Sequence, residues 1–159
     1  MRVLVFVLLG LMLSTTPGRA APAGEFDWPL RPRPAVVRAF DNPEHNWLPG
    51  HRGVDLAGTP GQAVLAAGDG MVVFAGTVAG KPVVSVQHDG GLRTTYEPVE
   101  SSVDAGRRVT KGSVLGTLVA GHPGCAAAAC LHWGVRRDRE YLDPLGLVRA
   151  VPIRLKPVA

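Results

Sequence analysis

Val83-Val84-Ser85-Val86-Gln87-His88-Asp89-Gly90-Gly91-Leu92-Arg93-Thr94-Thr95-Tyr96 decides the fold class of this chain. Two short runs of β-branched and aromatic residues flank Asp-Gly-Gly, which is the signal of a β-hairpin. Outward from this hairpin the same pattern recurs. Runs at residues 63–66, 71–74, 114–119 and 130–135 are short, apolar and punctuated by Gly. No apolar period of 3.6 residues persists for three turns, so long helices are excluded. The spacing predicts an all-β fold, a compact antiparallel β-sandwich or barrel-sandwich hybrid with an irregular N-terminal lead-in. A domain of roughly a hundred residues can bury its own core.

The 159 residues suit one domain. Residues 1–23 read as a secretory signal peptide: Arg2 gives a positive start, residues 3–13 are apolar but too short to span a bilayer comfortably, and small residues flank Ala20 and Ala23. Residues 24–48 form the lead-in, with Phe26, Trp28, Leu30, Val36 and Val37 as anchors that lay it against the domain. Residues 49–149 are the domain, with Leu residues near its end packing back on the sheet, and 150–159 are a tail. No other stretch is long and apolar enough for a membrane span. The protein is therefore expected outside the cytoplasm.

The net charge is +4 and the pI about 9.6. Few aromatic residues and no basic helix argue against a nucleic-acid partner. An anionic cell envelope matches the excess of Arg, and plain solubility would explain it as well. The two cysteines, Cys125 and Cys130, are expected to form a disulfide in an exported protein. Four alanines separate them, so the bridge needs a turn and not an extended strand.

Three residues carry the chemistry. His51 and Asp55 stand four apart, with Gly53 between them arguing against a helix. On an extended segment they share a face. His132 lies in Cys130-Leu131-His132-Trp133-Gly134, where Cys130 and His132 share one face and Leu131 and Trp133 the other. Two imidazoles and a carboxylate, with a fourth position open to water, have the composition of a catalytic zinc site. Such an ion lowers the pKa of its water and polarises a carbonyl. Taken singly, His51–Asp55 also reads as a hydrogen bond at a loop edge, and His132 as a satisfied polar residue. His88 reads as a structural turn residue and His45 as exposed.

An ordered series of motifs resembles a known family, the lysostaphin-type, LytM-like zinc metallopeptidases that cut peptide bonds in peptidoglycan on a duplicated hybrid motif fold. The series runs from Gly50-His51-Arg52-Gly53-Val54-Asp55-Leu56 through Thr59-Pro60-Gly61 and Ala66-Ala67-Gly68-Asp69-Gly70-Met71-Val72. It continues with Val86-Gln87-His88-Asp89-Gly90, Thr95-Tyr96, and the Gly-rich segments 106–109 and 111–116. It ends at Leu131-His132-Trp133. The resemblance implies one zinc ion held by His51, Asp55 and His132, and peptidoglycan as the partner.

The family has two further histidines near the metal, which assist the attacking water and the oxyanion. This chain departs there. Pro98 stands where the first would be, and Cys130 replaces the first His of His-x-His. Tyr96 is a candidate oxyanion donor. Glu97 is a candidate base, though as a strand neighbour it should point away from Tyr96. His122, in the loop that the disulfide stiffens, is a candidate catalytic residue if presented to the site, and otherwise a solvent-exposed loop residue.

Two functions follow from the resemblance. One is a secreted zinc endopeptidase acting on the peptide cross-links of the cell wall. The other is a module of weak or no activity that binds peptidoglycan or regulates a wall hydrolase. A biotinyl- or lipoyl-type carrier fits less well, since neither Lys81 nor Lys111 has the flanking pattern of a modified hairpin tip.

Overall fold

The computed structural model describes residues 24–45 and 47–149. The expectations for the signal peptide and for the tail fall outside the described residues. The chain runs through β1 (Val36–Arg38), β2 (Gly53–Gly58), β3 (Ala63–Leu65), β4 (Gly70–Val78), β5 (Lys81–Gln87), β6 (Leu92–Glu97), β7 (Val99–Ser101), β8 (Arg108–Val109), β9 (Val114–Leu118), β10 (Ala129–Arg137) and β11 (Glu140–Leu142). A single helical turn, α1 (Leu145–Val148), follows. All pairings are antiparallel. The larger sheet has the order β1-β2-β10-β6-β5-β4-β8, with β11 on β10, and the smaller has the order β3-β9-β7.

The expected hairpin is β5–β6. Gly90 and Gly91 take φ of 70° and 79°, a backbone region that a residue with a Cβ rarely enters, which explains Asp-Gly-Gly at the tip. Alternation then sorts each strand. Along β6, Leu92, Thr94 and Tyr96 are buried, while Arg93, Thr95 and Glu97 are half-buried on the other face. Along β10, Leu131, Trp133 and Val135 point into the core. The core lies between the sheets, with Val84, Val86, Leu131 and Trp133 from the larger and Val64, Val99, Leu115 and Leu118 from the smaller. Each fully buried side chain of this kind contributes about 1.5–3 kcal/mol.

The lead-in is irregular except for β1, a strand the sequence does not announce. β1 pairs along β2, Val36 opposite Leu56 and Arg38 opposite Asp55, and covers an edge that would otherwise be open. Of the expected anchors, Phe26 and Leu30 are buried in the core and Trp28 packs beside Trp133, while Val36 and Val37 stay exposed. Leu142, Leu145 and Leu147 pack against the core as expected. Among the described residues no helix is long and apolar enough to cross a membrane.

Candidate metal centre

Two strands, the segment before the first of them and one loop build the site. β2 and β10 lie side by side with His132 directly opposite Asp55. His51 precedes β2 and is fixed by a two-way backbone bridge to Asp41. The three side chains converge. His51 Nε2 lies 2.9 Å from Asp55 Oδ1 and 3.0 Å from His132 Nδ1, and His132 Nδ1 lies 2.9 Å from Asp55 Oδ1. Asp55 and His51 are buried, and His132 is 20% exposed at the mouth.

This triangle fits a tetrahedral divalent cation. His51 Nδ1 donates to Ala39 O at 2.7 Å, so in the neutral imidazole Nε2 is the lone pair that faces the carboxylate. Lone pairs of a neutral imidazole and a carboxylate repel unless a proton or cation lies between them. A tetrahedral ion with ligands at about 2.0–2.1 Å has ligand–ligand edges of about 3.3–3.4 Å. The observed edges are only a few tenths shorter. Gly53 belongs to the site too. A Cβ there would lie 2.5 Å from Trp133 O and 2.7 Å from His132 Nε2, so the His132 ring needs glycine beneath it.

His122 completes the cluster. Its Nε2 lies 3.3 Å from Asp55 Oδ1, its side chain is only 9% exposed, and its ring stacks on His132 at 5.8 Å between centroids. Its Nδ1 is buried without a hydrogen-bond partner. The local sequence explains the placement. Cys125 N donates to His122 O, closing His122-Pro123-Gly124-Cys125 into a turn. Gly124 takes φ of 76°, and Pro followed by such a Gly is the arrangement of a type II turn. Cys125 is then bridged to Cys130, whose Cα is 5.6 Å away and which sits on β10 two residues before His132. The solvent-exposed alternative for His122 does not hold. The signal that would have found it is Pro-Gly-Cys following the His.

Electrostatics follow from burial and proximity. For Asp55, burial opposes the charged form, but the hydrogen bond to His132 and the charges of His122 and His51 outweigh it and hold the carboxyl below its ordinary value. For His122, burial dominates over the attraction of Asp55 and lowers its pKa.

Tyr96 is a correction. It is fully buried on the core face of β6, and its hydroxyl accepts from Ala67 N at 2.9 Å and lies 2.9 Å from Thr94 Oγ1. Burial pushes its pKa up to about 12. It does not reach the triad, because strand alternation turns it away. Glu97, its neighbour, faces the cleft and pairs with Lys81 at 2.8 Å. Pro98 is buried. His88 is the structural residue expected, held between Asp69 O and Thr94 Oγ1, and His45 is exposed.

The site opens into a cleft of about 510 Å³. Its floor comes from β5, β6 and β10, and its rim carries Arg38, Arg52 and Tyr141. Sequence reasoning missed the cleft residues Arg93, Thr95 and Arg136, although the alternation Arg93-Thr94-Thr95-Tyr96-Glu97 places the first two on one face with Glu97.

The model of peptidase family M23 matches residues 49–144. The chain belongs to that family. An uncharacterized protein of Mycobacterium tuberculosis is 56% identical over 98% of this chain and 64% of its own length, so this chain spans less than two thirds of that relative. The murein hydrolase activator NlpD of Escherichia coli is 27% identical over 79% of this chain and 32% of its own length. Among solved structures, Helicobacter pylori Csd3 matches with a TM-score of 0.65 and 26% identity, over 85% of this chain and 38% of that one.

Proposed function

We propose that this chain is an exported zinc endopeptidase of the bacterial cell wall that cuts peptide cross-links of peptidoglycan. The observation that carries this reading is His122. Pro98 and Cys130 remove the two imidazoles that the family resemblance implies, and the turn stapled to Cys130 brings one back to the edge of the triad. His51, Asp55 and His132 would hold the ion. When bound, zinc would polarise the scissile carbonyl and acidify a water. Asp55 stays ionised to balance the ion's charge. His51 is locked in the metal-binding tautomer by Ala39 O. His122, largely buried and with its pKa lowered by that burial, presents Nε2 beside the reacting centre. It is placed to take a proton from the attacking water and return it to the leaving amine. The strands of the cleft floor align the peptide.

A second reading has Pro98 and the similarity to a murein hydrolase activator in its favour: a module that binds the wall or regulates a hydrolase. It expects wall binding that survives chelation, without cleavage. The deciding experiment incubates purified, zinc-loaded protein with peptidoglycan fragments beside His51→Ala. Cross-linked muropeptides should decline only with the unaltered protein. Identical chromatographic profiles would defeat the catalytic reading.

A further inference from the structure

The cleft beside the triad is ordered in rows across the sheet. The first row holds His132 opposite Glu97. The second holds Gly134, Thr95 and Ser85 in register, small residues that leave a flat floor. The third holds Arg136 directly opposite Arg93. Like charges facing each other across an antiparallel pair destabilise a sheet. Gln87 accepts from Arg93 Nε at 3.0 Å but brings no charge. Among the described residues neither Arg93, Arg136 nor the nearby Arg38 has an acidic partner within ion-pair distance. Apart from the triad, the cleft's acidic lining is Glu97, and Lys81 already neutralises it.

We infer that the Arg93–Arg136 pair, with Arg38 on the rim, is a subsite for free carboxylates of the substrate peptide. This rests on the endopeptidase reading and narrows it to a substrate class: cross-linked peptides whose side carboxyls are ionised, not amidated. Geometry sets where the carboxylate falls. Two strand residues span about 7 Å, so the arginine row lies about 13 Å of backbone beyond His132, across the flat row. A peptide with its scissile amide at the triad and its chain over Gly134 and Thr95 presents a carboxylate two to four residues away to the guanidinium pair. Arg is suited to this, because its planar fork binds carboxylate through two parallel hydrogen bonds.

The test uses one synthetic cross-linked muropeptide in two forms, with free carboxylates and with the same carboxyls converted to primary amides. Binding is measured by calorimetry on His51→Ala, so that a protein without turnover still gives an answer, and cleavage is followed separately on the zinc-loaded protein. The free form should bind at least about tenfold more tightly, since each charge-assisted contact adds to it. The preference should shrink as salt rises. Arg93→Gln combined with Arg136→Gln should abolish the preference, bringing the affinities of the two forms together. Equal affinity for both forms, no binding of either, or a preference that survives the double substitution would overturn the inference. Absence of cleavage with the preference intact would instead count against the endopeptidase reading alone.

Discussion

The two faces of β6 and β10 divide the labour of this protein. On the cleft face stand Arg93, Thr95, Glu97, His132 and Arg136, which line the cleft, and Cys130, which is bridged to the loop of His122. On the core face, one residue further along each time, stand Thr94, Tyr96, Leu131, Trp133 and Val135, all buried. Both faces carry polar groups, but they differ in what satisfies them. The core-face hydroxyls of Thr94 and Tyr96 find partners within the protein, in His88 and Ala67. On the cleft face Glu97 pairs with Lys81 and Thr95 with Ser85, but Arg136 has no acidic partner among the described residues and lines the open cleft with Arg93, which Gln87 holds only at Nε. A buried polar group with a partner is structure, and one aimed into a cleft is chemistry.

The largest expected effect comes from the cleft face. His132→Ala removes one corner of a triangle whose edges are 2.9–3.0 Å. Zinc content should fall from one ion per chain toward zero, and cleavage with it, while the urea midpoint of the metal-free protein barely moves. Elemental analysis and muropeptide digestion check both. His122→Ala comes next. It should leave the ion in place and lower turnover by roughly 10²–10⁴-fold, the usual contribution of general acid–base help. Loss of zinc in that variant would make His122 a fourth ligand and close the site. Cys125→Ser with Cys130→Ser frees the turn without touching the triad. It should keep zinc and lower turnover by less than His122→Ala does, because a loosened loop still visits the productive position.

The same two faces explain what the sequence discloses. The convergence of His51, Asp55 and His132 was legible because they lie on or beside strands, where a period of two settles direction without any knowledge of the fold. The alternation that joins Cys130 to His132 also predicts the burial of Trp133. It equally turns Tyr96 away from the triad, and naming it as a stand-in for a missing histidine overlooked that period. His122 was harder, because a loop has no period. Its direction is imposed by Pro123, Gly124 and the Cys125–Cys130 bridge acting together. β1 was illegible for another reason. Val36-Val37-Arg38 is too short to show alternation amid prolines and arginines, and its strand character comes from pairing with β2.

Tyr96→Phe sharpens the contrast from the core face. Losing the hydroxyl leaves Ala67 N buried without an acceptor and removes a partner of Thr94. An unsatisfied buried donor costs about 1–3 kcal/mol. The urea midpoint should fall accordingly, with zinc content and turnover per folded molecule unchanged. A selective loss of turnover would return Tyr96 to the catalytic machinery.

The smallest effect is the pH dependence carried by His88. Burial, first of all, lowers its pKa below 6.5, and the attraction of Asp69 O and nearby carboxylates only partly opposes this. The folded protein therefore favours the neutral ring, with Nδ1–H donating to Asp69 O and Nε2 lying 2.7 Å from Thr94 Oγ1. The unfolded chain takes up a proton on this residue as pH falls through 6.5, while the folded chain resists until lower pH. The unfolded state then binds more protons, so stability rises with pH across that window and is lost as pH falls below it. In His88→Gln this contribution disappears. Its midpoint is lower at pH 7.5, and the further drop between pH 7.5 and pH 5 is smaller than in the unaltered protein. Because His88 sits on the core face, zinc content at pH 7.5 should be the same in both proteins. A pH dependence unaltered by the substitution would place the titrating group elsewhere and would leave the buried chain from Asp69 to Tyr96 without an ionisable member that matters to folding.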